Sequence, residues 1–203
     1  MGLYAEQLRP RLLNATLGLG ATGEIRARVC AGLHGDVLEV GYGSGLNQPY
    51  LPAEVTSVTA LEPSPVALGL ARERQAASSV PVVVGGDDAQ HMALPDDRFD
   101  AALSTWTLCG IPDPLAALRE VRRVLRPGAV LHFVEHGRAP DDAVVRWQRR
   151  GNALNRRIVG CVLDRDISAL LSQAGLTVLA LRTYYEQHAP RPAGFFYEGR
   201  AAA

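Results

Sequence analysis

The amino-acid sequence predicts an α/β domain built on a parallel sheet. Three observations carry that expectation: short apolar, partly β-branched segments alternate with amphipathic ones, a glycine-rich turn follows the first of them directly, and an acidic residue closes the second. Residues 36–40 (DVLEV), 55–62 (VTSVTALE), 80–84 (VPVVV), 99–105 (FDAALST) and 129–135 (AVLHFVE) read as strands, each edged by Gly, Pro or Asp. Between them, 64–78 and 114–126 carry apolar residues at helical spacing, the second opening after Pro112, Asp113 and Pro114 and stopping at Pro127 and Gly128. Nearly continuous apolar strands joined by helices imply right-handed crossovers and a sheet covered on both faces, with ligands bound at the carboxyl ends of the strands. Ahead of the first strand, 2–33 reads as two helices interrupted at Gly18, Gly20 and Gly23, placed to cover those ends as a lid. After the fifth strand, segments 140–158 and 166–174 precede two final strands, 176–183 and 194–201.

At 203 residues with 47% hydrophobic and 21% charged content, the chain is expected to fold as one domain. Its 21 basic residues, all Arg and none Lys, balance 21 acidic ones, so no net field favours nucleic acid or an anionic membrane, and no lysine is present to act as a catalyst. Cys30, Cys109 and Cys161 lie far apart, with neither a Cys-x-x-Cys pair nor a His at ligand spacing, so no metal and no disulfide framework is expected. A reducing, cytoplasmic setting fits this. No cleavable leader and no run of about 18 apolar residues is apparent, so the protein is expected to be soluble.

The strongest chemical feature is 37–45, VLEVGYGSG, in which an apolar strand carrying Glu39 runs into Gly41, Gly43 and Gly45. Such a loop lets a ligand approach the backbone closely, although a merely tight strand-to-helix turn would use the same residues. A dinucleotide fingerprint needs its third glycine at position 46, where Leu46 stands, and a nicotinamide-dependent oxidoreductase would need a Tyr-x-x-x-Lys or its equivalent. Glu62, 17 residues beyond Gly45, is placed to accept both hydroxyls of an adenosine ribose. Asp87 and Asp88 follow the Gly85–Gly86 turn, and Asp88 either accepts from an adenine amino group or closes an Asx turn.

The blocks VLEVGYGSGLNQPYLP, ALEPS and GDDAQHMALPDDRFDAALSTWTLCGIPDPLAALREVRRVLRPGAVLHFVEHGRAP, in that order, resemble the small-molecule class I S-adenosylmethionine (SAM)-dependent methyltransferases of the type 11 superfamily. The resemblance implies a Rossmann-like seven-stranded sheet of order 3-2-1-4-5-7-6 with strand 7 antiparallel. It further implies a helical lid over 1–33, a SAM-binding half over 34–137 and a substrate-side half over 138–203. Matched position by position, Glu39, Gly41, Gly43 and Gly45, with Tyr42, fall beside the methionine portion of SAM; Glu62 with Pro63 is the ribose acid; Asp88 with Ala89 meets adenine; Ser104 and Thr105 flank the transferred methyl. TLCGIPDP, EHGRAP and the tail, with WQRRGNALNRRIVGCVLDRDI and PRPAGFFYEG, are similar to the branch containing the microsomal alkyl-thiol methyltransferases and bacterial relatives. This chain departs from the microsomal members in having no N-terminal anchoring helix, so integral membrane association is not expected. The quinone C-methyltransferases share the SAM half but not the tail. A SAM-binding protein without catalysis remains a further alternative, and a nucleic-acid methyltransferase is disfavoured by the neutral charge and the absence of a basic aromatic patch.

Methyl transfer from a sulfonium is an in-line displacement, for which orientation supplies most of the rate. A thiol acceptor, with an ordinary pKa of about 8.5, needs only a group that favours thiolate, whereas an oxygen acceptor needs a true base. His136, just past the fifth strand, is the candidate base; the competing reading is a histidine that holds its loop. His132 is expected to be structural, and His34, His91 and His188 fall in turns or surface segments. Trp106, Thr107 and Cys109 are candidates for the acceptor wall, and Trp147, Cys161 and Tyr4 for the segments that cover it. The expected cofactor is SAM, leaving as S-adenosylhomocysteine, and the expected partner a small-molecule methyl acceptor.

Overall fold

The computed structural model describes residues 2–18, 22–187 and 189–203; the expectations placed on Gly20 and His188 fall outside the described residues. Its strands are β1 (Gly35–Val40), β2 (Val55–Leu61), β3 (Val82–Gly86), β4 (Phe99–Thr105), β5 (Leu125–His136), β6 (Thr177–Tyr185) and β7 (Phe195–Ala202). They form one sheet in the order β3-β2-β1-β4-β5-β7-β6. The first five pair in parallel, and β7 runs antiparallel to both β5 and β6. The helices are α1 (Arg9–Leu17), extended by a π-helical turn over Tyr4–Leu8, α2 (Gly23–Cys30), α3 (Pro65–Ala76), α4 (Pro114–Val124), α5 (Asp142–Ile158) and α6 (Ile167–Gln173).

Alternation along β1 sends Val37 and Leu38 to opposite faces of the sheet, each into its own core. On Leu38's side, Leu118, Val121 and Val124 of α4 and Ile167 and Leu171 of α6 pack with Ala102, Leu131 and Phe133. On the side of Val37, Ile25 and Val29 of α2 and Ala71 of α3 pack with Val58, Leu103 and Val134. Helix starts follow local chemistry: Ser64, Asp113 and Asp166 accept hydrogen bonds from the backbone N–H groups of Ala67, Ala116 and Ala169, and Pro65 and Pro114 hold the first helical positions of α3 and α4.

Four expectations shift. β5 starts at Leu125 rather than 129, because Leu125 already pairs with Phe99 before the irregularity that carries Pro127 and Gly128, and this ends α4 at Val124. Gly85 and Gly86 lie within β3 rather than in a turn after it, since Gly86 pairs with Leu61. β3 and β6 are the edges of the sheet, so Val83 is 63% exposed and Leu179 56%, and apolar character there does not report burial on both faces. The covering role expected of 2–33 falls to α1, which buries no residue of its own, whereas α2 buries Ile25, Val29 and Cys30 in the core. Among the described residues, no helix is long and apolar enough to cross a membrane.

Candidate active site

The registers Val40↔Leu61 and Val40↔Ser104 bring the exits of β1, β2 and β4 to one edge of the sheet, where a cleft of about 710 Å³ opens beneath α1. Gly41, Gly43 and Gly45 have φ of +70°, +58° and +71°, the left-handed region, which explains glycine at alternate positions. A Cβ on Gly41 would run into the Thr107 side chain, and one on Gly45 would lie 2.8 Å from the Tyr42 hydroxyl. The Tyr42 side chain is therefore packed under the loop and 2% exposed. Gly41→Ala is expected to cost about 1–2 kcal/mol through the left-handed backbone alone, read as a lower urea midpoint; an unchanged midpoint would show that the loop tolerates another conformation.

At the end of β2 the Glu62 carboxylate accepts hydrogen bonds from the backbone N–H of Gly43 and of Ser64, each at 2.8 Å. Burial pushes its pKa up and these two N–H groups pull it back. Ionised, the carboxylate has about four acceptor positions, so about two remain for hydroxyl groups of a ligand. Pro63, Asp88 and Ala89 line the same end of the cleft. Asp88 closes the Asx turn: one oxygen accepts from the backbone N–H and side-chain amide of Gln90 and the other meets His91, which together hold its pKa down at about 2.

Behind the glycine loop lies a buried polar network that joins α2 to the ends of β1 and β4. Asn47 donates to Glu39 Oε1 at 2.7 Å and to Thr105 Oγ1 at 3.0 Å, and Arg26 donates to Asn47 Oδ1 at 2.6 Å. Arg26 also reaches the carbonyl of Leu17 at the end of α1 and lies 4.8 Å from the centre of the Trp106 ring. Burial dominates the titration of both charged members: it lifts Glu39 to about 7 and lowers Arg26 to about 10. Among the described residues, Glu39 Oε2, Arg26 Nε and Trp106 Nε1 are buried polar atoms without a hydrogen-bond partner. Unpartnered buried polar atoms are costly, and Arg26 and Trp106, which line the cleft, fit a polar ligand there; Glu39, expected beside the ligand, stands instead behind the lining, where Asn47 holds it. Arg26 and Asn47 escaped the sequence reading; the available signal was an arginine inside the apolar stripe formed by Ile25, Val29 and Cys30. Ser104 points away from the cleft and donates to Glu135 Oε1 at 2.7 Å.

Trp106, with φ of +50°, turns the chain at the end of β4, and Trp106, Thr107, Ile111 and Cys161 line the other end of the cleft. Positive φ in a bulky residue is strain of the kind found at functional sites. Arg165 also lines this end; it donates to the carbonyl of Ile111, keeps a buried unpartnered Nε, and has its pKa lowered by burial. Cys109 and His136, distant in sequence, meet Cys161 at the cleft floor, with Cys109 Sγ 3.8 Å from His136 Nδ1 and the His136 ring against Phe196. The hydrogen bond shared with Cys109 holds the Cys161 thiol below the usual thiol range and raises Cys109 correspondingly. Of the three, Cys161 lines the cleft, and Cys109 and His136, expected as acceptor wall and base, stand behind it. Two further candidates lie outside the cleft lining. Trp147 is 62% exposed on α5, because Val144, Val145 and Gln148 take the inward positions, and Tyr4 donates to the carbonyl of Ile158. His132 is structural, its Nδ1 2.8 Å from the carbonyl of Val29.

A family described as a methyltransferase domain matches residues 38–133. Residues 38–133 are thus similar to methyltransferase domains. Human thiol S-methyltransferase TMT1B is 32% identical over 169 residues, 79% of this chain and 64% of that protein. The chloroplastic 2-methyl-6-phytyl-1,4-hydroquinone methyltransferase 2 of rice is 36% identical over 96 residues, 46% of this chain and 27% of that one. The chain thus spans less than two thirds of the length of these curated relatives. A SAM-dependent methyltransferase from Aquifex aeolicus has the same fold, with a TM-score of 0.59 at 20% identity over 93% of this chain and 92% of the other.

Proposed function

We propose that this protein transfers the methyl group of SAM to a small-molecule thiol in the cytoplasm, releasing a thioether and S-adenosylhomocysteine. The sulfonium–methyl bond breaks as a carbon–sulfur bond to the acceptor forms, and the thiol proton goes to solvent. The reading of the donor side rests on the cleft: Glu62 would hold the ribose hydroxyls, Ala89 and the Asx turn that Asp88 closes would flank the adenine, and the backbone of Gly41 and Gly43 would hold the methionine portion. Arg26, whose Nε lacks a partner, would meet the methionine carboxylate. Thr105 also lines the cleft, and the methyl would lie beside it.

The observation that carries the thiol is the extent of likeness. The match to the human thiol S-methyltransferase spans 79% of this chain, whereas the match to the hydroquinone enzyme stops at 46%. The local chemistry agrees: the Arg165 guanidinium at the acceptor end favours a thiolate there, and a thiolate needs no general base. Free Cys30, Cys109 and Cys161 fit a reducing compartment.

The test is release of S-adenosylhomocysteine from purified protein and SAM with alkyl thiols, phenols and hydroquinones as acceptors. Turnover is expected with thiols. Turnover on hydroquinones alone would move the reading to carbon methylation, and tight SAM binding without turnover would make the protein a SAM sensor.

A further inference from the structure

We propose that Cys109, His136 and Cys161 form a zinc site with three protein ligands and a fourth position toward the cleft. One ligand atom from each residue lies within 4.8 Å of the other two. With zinc–sulfur bonds of about 2.3 Å and zinc–nitrogen bonds of about 2.0–2.1 Å, tetrahedral geometry sets the sulfur-to-nitrogen edge near 3.5 Å. The Cys109 Sγ to His136 Nδ1 distance is 3.8 Å, so that edge is almost formed, and the others close by about 1 Å of side-chain rotation or less.

The three ligands come from three segments, each anchored by its own backbone. The carbonyl of Cys109 accepts from the N–H of Val162 at 2.9 Å, and that of Cys161 accepts from the side-chain amide of Asn155 at 2.8 Å. His136 is in register with Phe196 of β7, and its ring packs against the Phe196 ring with centroids 4.9 Å apart. These restraints bring the donors together without a metal, which lowers the ordering cost of binding one.

Donor chemistry selects the ion. Two thiolates and an imidazole are soft to borderline ligands with no carboxylate among them, which disfavours magnesium and calcium and suits zinc. As Zn²⁺ enters, the two thiol protons leave to solvent and His136 binds neutral through Nδ1. Two thiolates then cancel the dication, so the filled site is neutral where Cys109 is fully buried and Cys161 only 9% exposed. Cys161 lines the cleft while Cys109 and His136 stand behind it, so the open side faces the cleft. Zinc with three protein ligands and an exchangeable fourth is the arrangement of reactive rather than purely structural sites. Zinc binding is measured apart from the proposed methyl transfer, since none of the three ligands is assigned to SAM.

The experiment is titration of reduced, chelator-treated protein with Zn²⁺ against a competing indicator, and with Co²⁺ followed by absorption. One equivalent is expected, with thiolate-to-cobalt charge transfer and the visible bands of a tetrahedral ion. Cys161→Ser and His136→Ala should each weaken binding on the order of 100-fold, while His34→Ala, at an exposed turn, leaves it unchanged. SAM titration of each variant reports whether it has folded, so loss of metal with retained SAM binding supports the site. Absence of stoichiometric zinc binding by the reduced wild type, or retention of the metal by both folded variants, would overturn it. A Cys109–Cys161 disulfide that takes up no zinc after reduction would do the same.

Discussion

Replacing Glu62 with alanine is expected to weaken SAM binding about 100-fold, close to 2.7 kcal/mol. The carboxylate uses two of its acceptor positions on the N–H groups of Gly43 and Ser64, so it ties the glycine loop to the start of α3 while its remaining positions stay available to the ribose. Hydrogen bonds to an ionised group contribute about 1.5–3 kcal/mol each, and alanine also strands two backbone donors that the carboxylate now satisfies. Glu62→Gln keeps one acceptor oxygen and should fall between wild type and Glu62→Ala. Calorimetric titration of the three proteins with SAM decides the matter: a loss of less than about fivefold in Glu62→Ala would place the ribose elsewhere.

Much of this donor side was legible because it is written in local sequence. Three glycines at alternate positions demand left-handed backbone wherever they occur, and a carboxylate at the end of the next strand lands beside them once both strands are parallel neighbours. The acceptor side is different in kind. Cys109 and His136 stand 27 residues apart in sequence and meet through the β4–β5 pairing and the turn after α5, so no spacing rule finds them; the expectation of no metal ligands rested on such a rule. Trp147 reads as an aromatic cover over the acceptor, yet Gln148 takes the inward position beside it, fully buried and bonded to the backbone of Gly137, Ala139 and Pro192. Arg26 was invisible for the opposite reason: a charge is expected to face solvent, and here it is 4% exposed because Asn47, Thr105 and the face of Trp106 receive it.

The same network makes stability depend on pH in a direction opposite to that of most carboxylates. Burial, opposed by the Asn47 hydrogen bond and the Arg26 charge and assisted by the neighbouring Glu62 charge, lifts Glu39 from 4.5 to about 7. The folded chain therefore holds that proton more tightly than the unfolded one. Its contribution is fully present below pH 4.5 and is lost as pH rises through 7. A shift of this size corresponds to about 3 kcal/mol, of which roughly 2–3 fall between pH 5 and pH 8. Other groups titrate in the same range, among them His132, whose pKa is lowered by burial and whose effect has the opposite sign. The informative quantity is therefore the difference in unfolding free energy between wild type and Glu39→Gln, measured in urea without SAM at the two pH values. Glutamine keeps an acceptor for Asn47 and carries no proton equilibrium, so wild type should lose about 2–3 kcal/mol relative to the variant on going from pH 5 to pH 8. A difference that does not change with pH would mean that Arg26 keeps Glu39 ionised in the empty cleft.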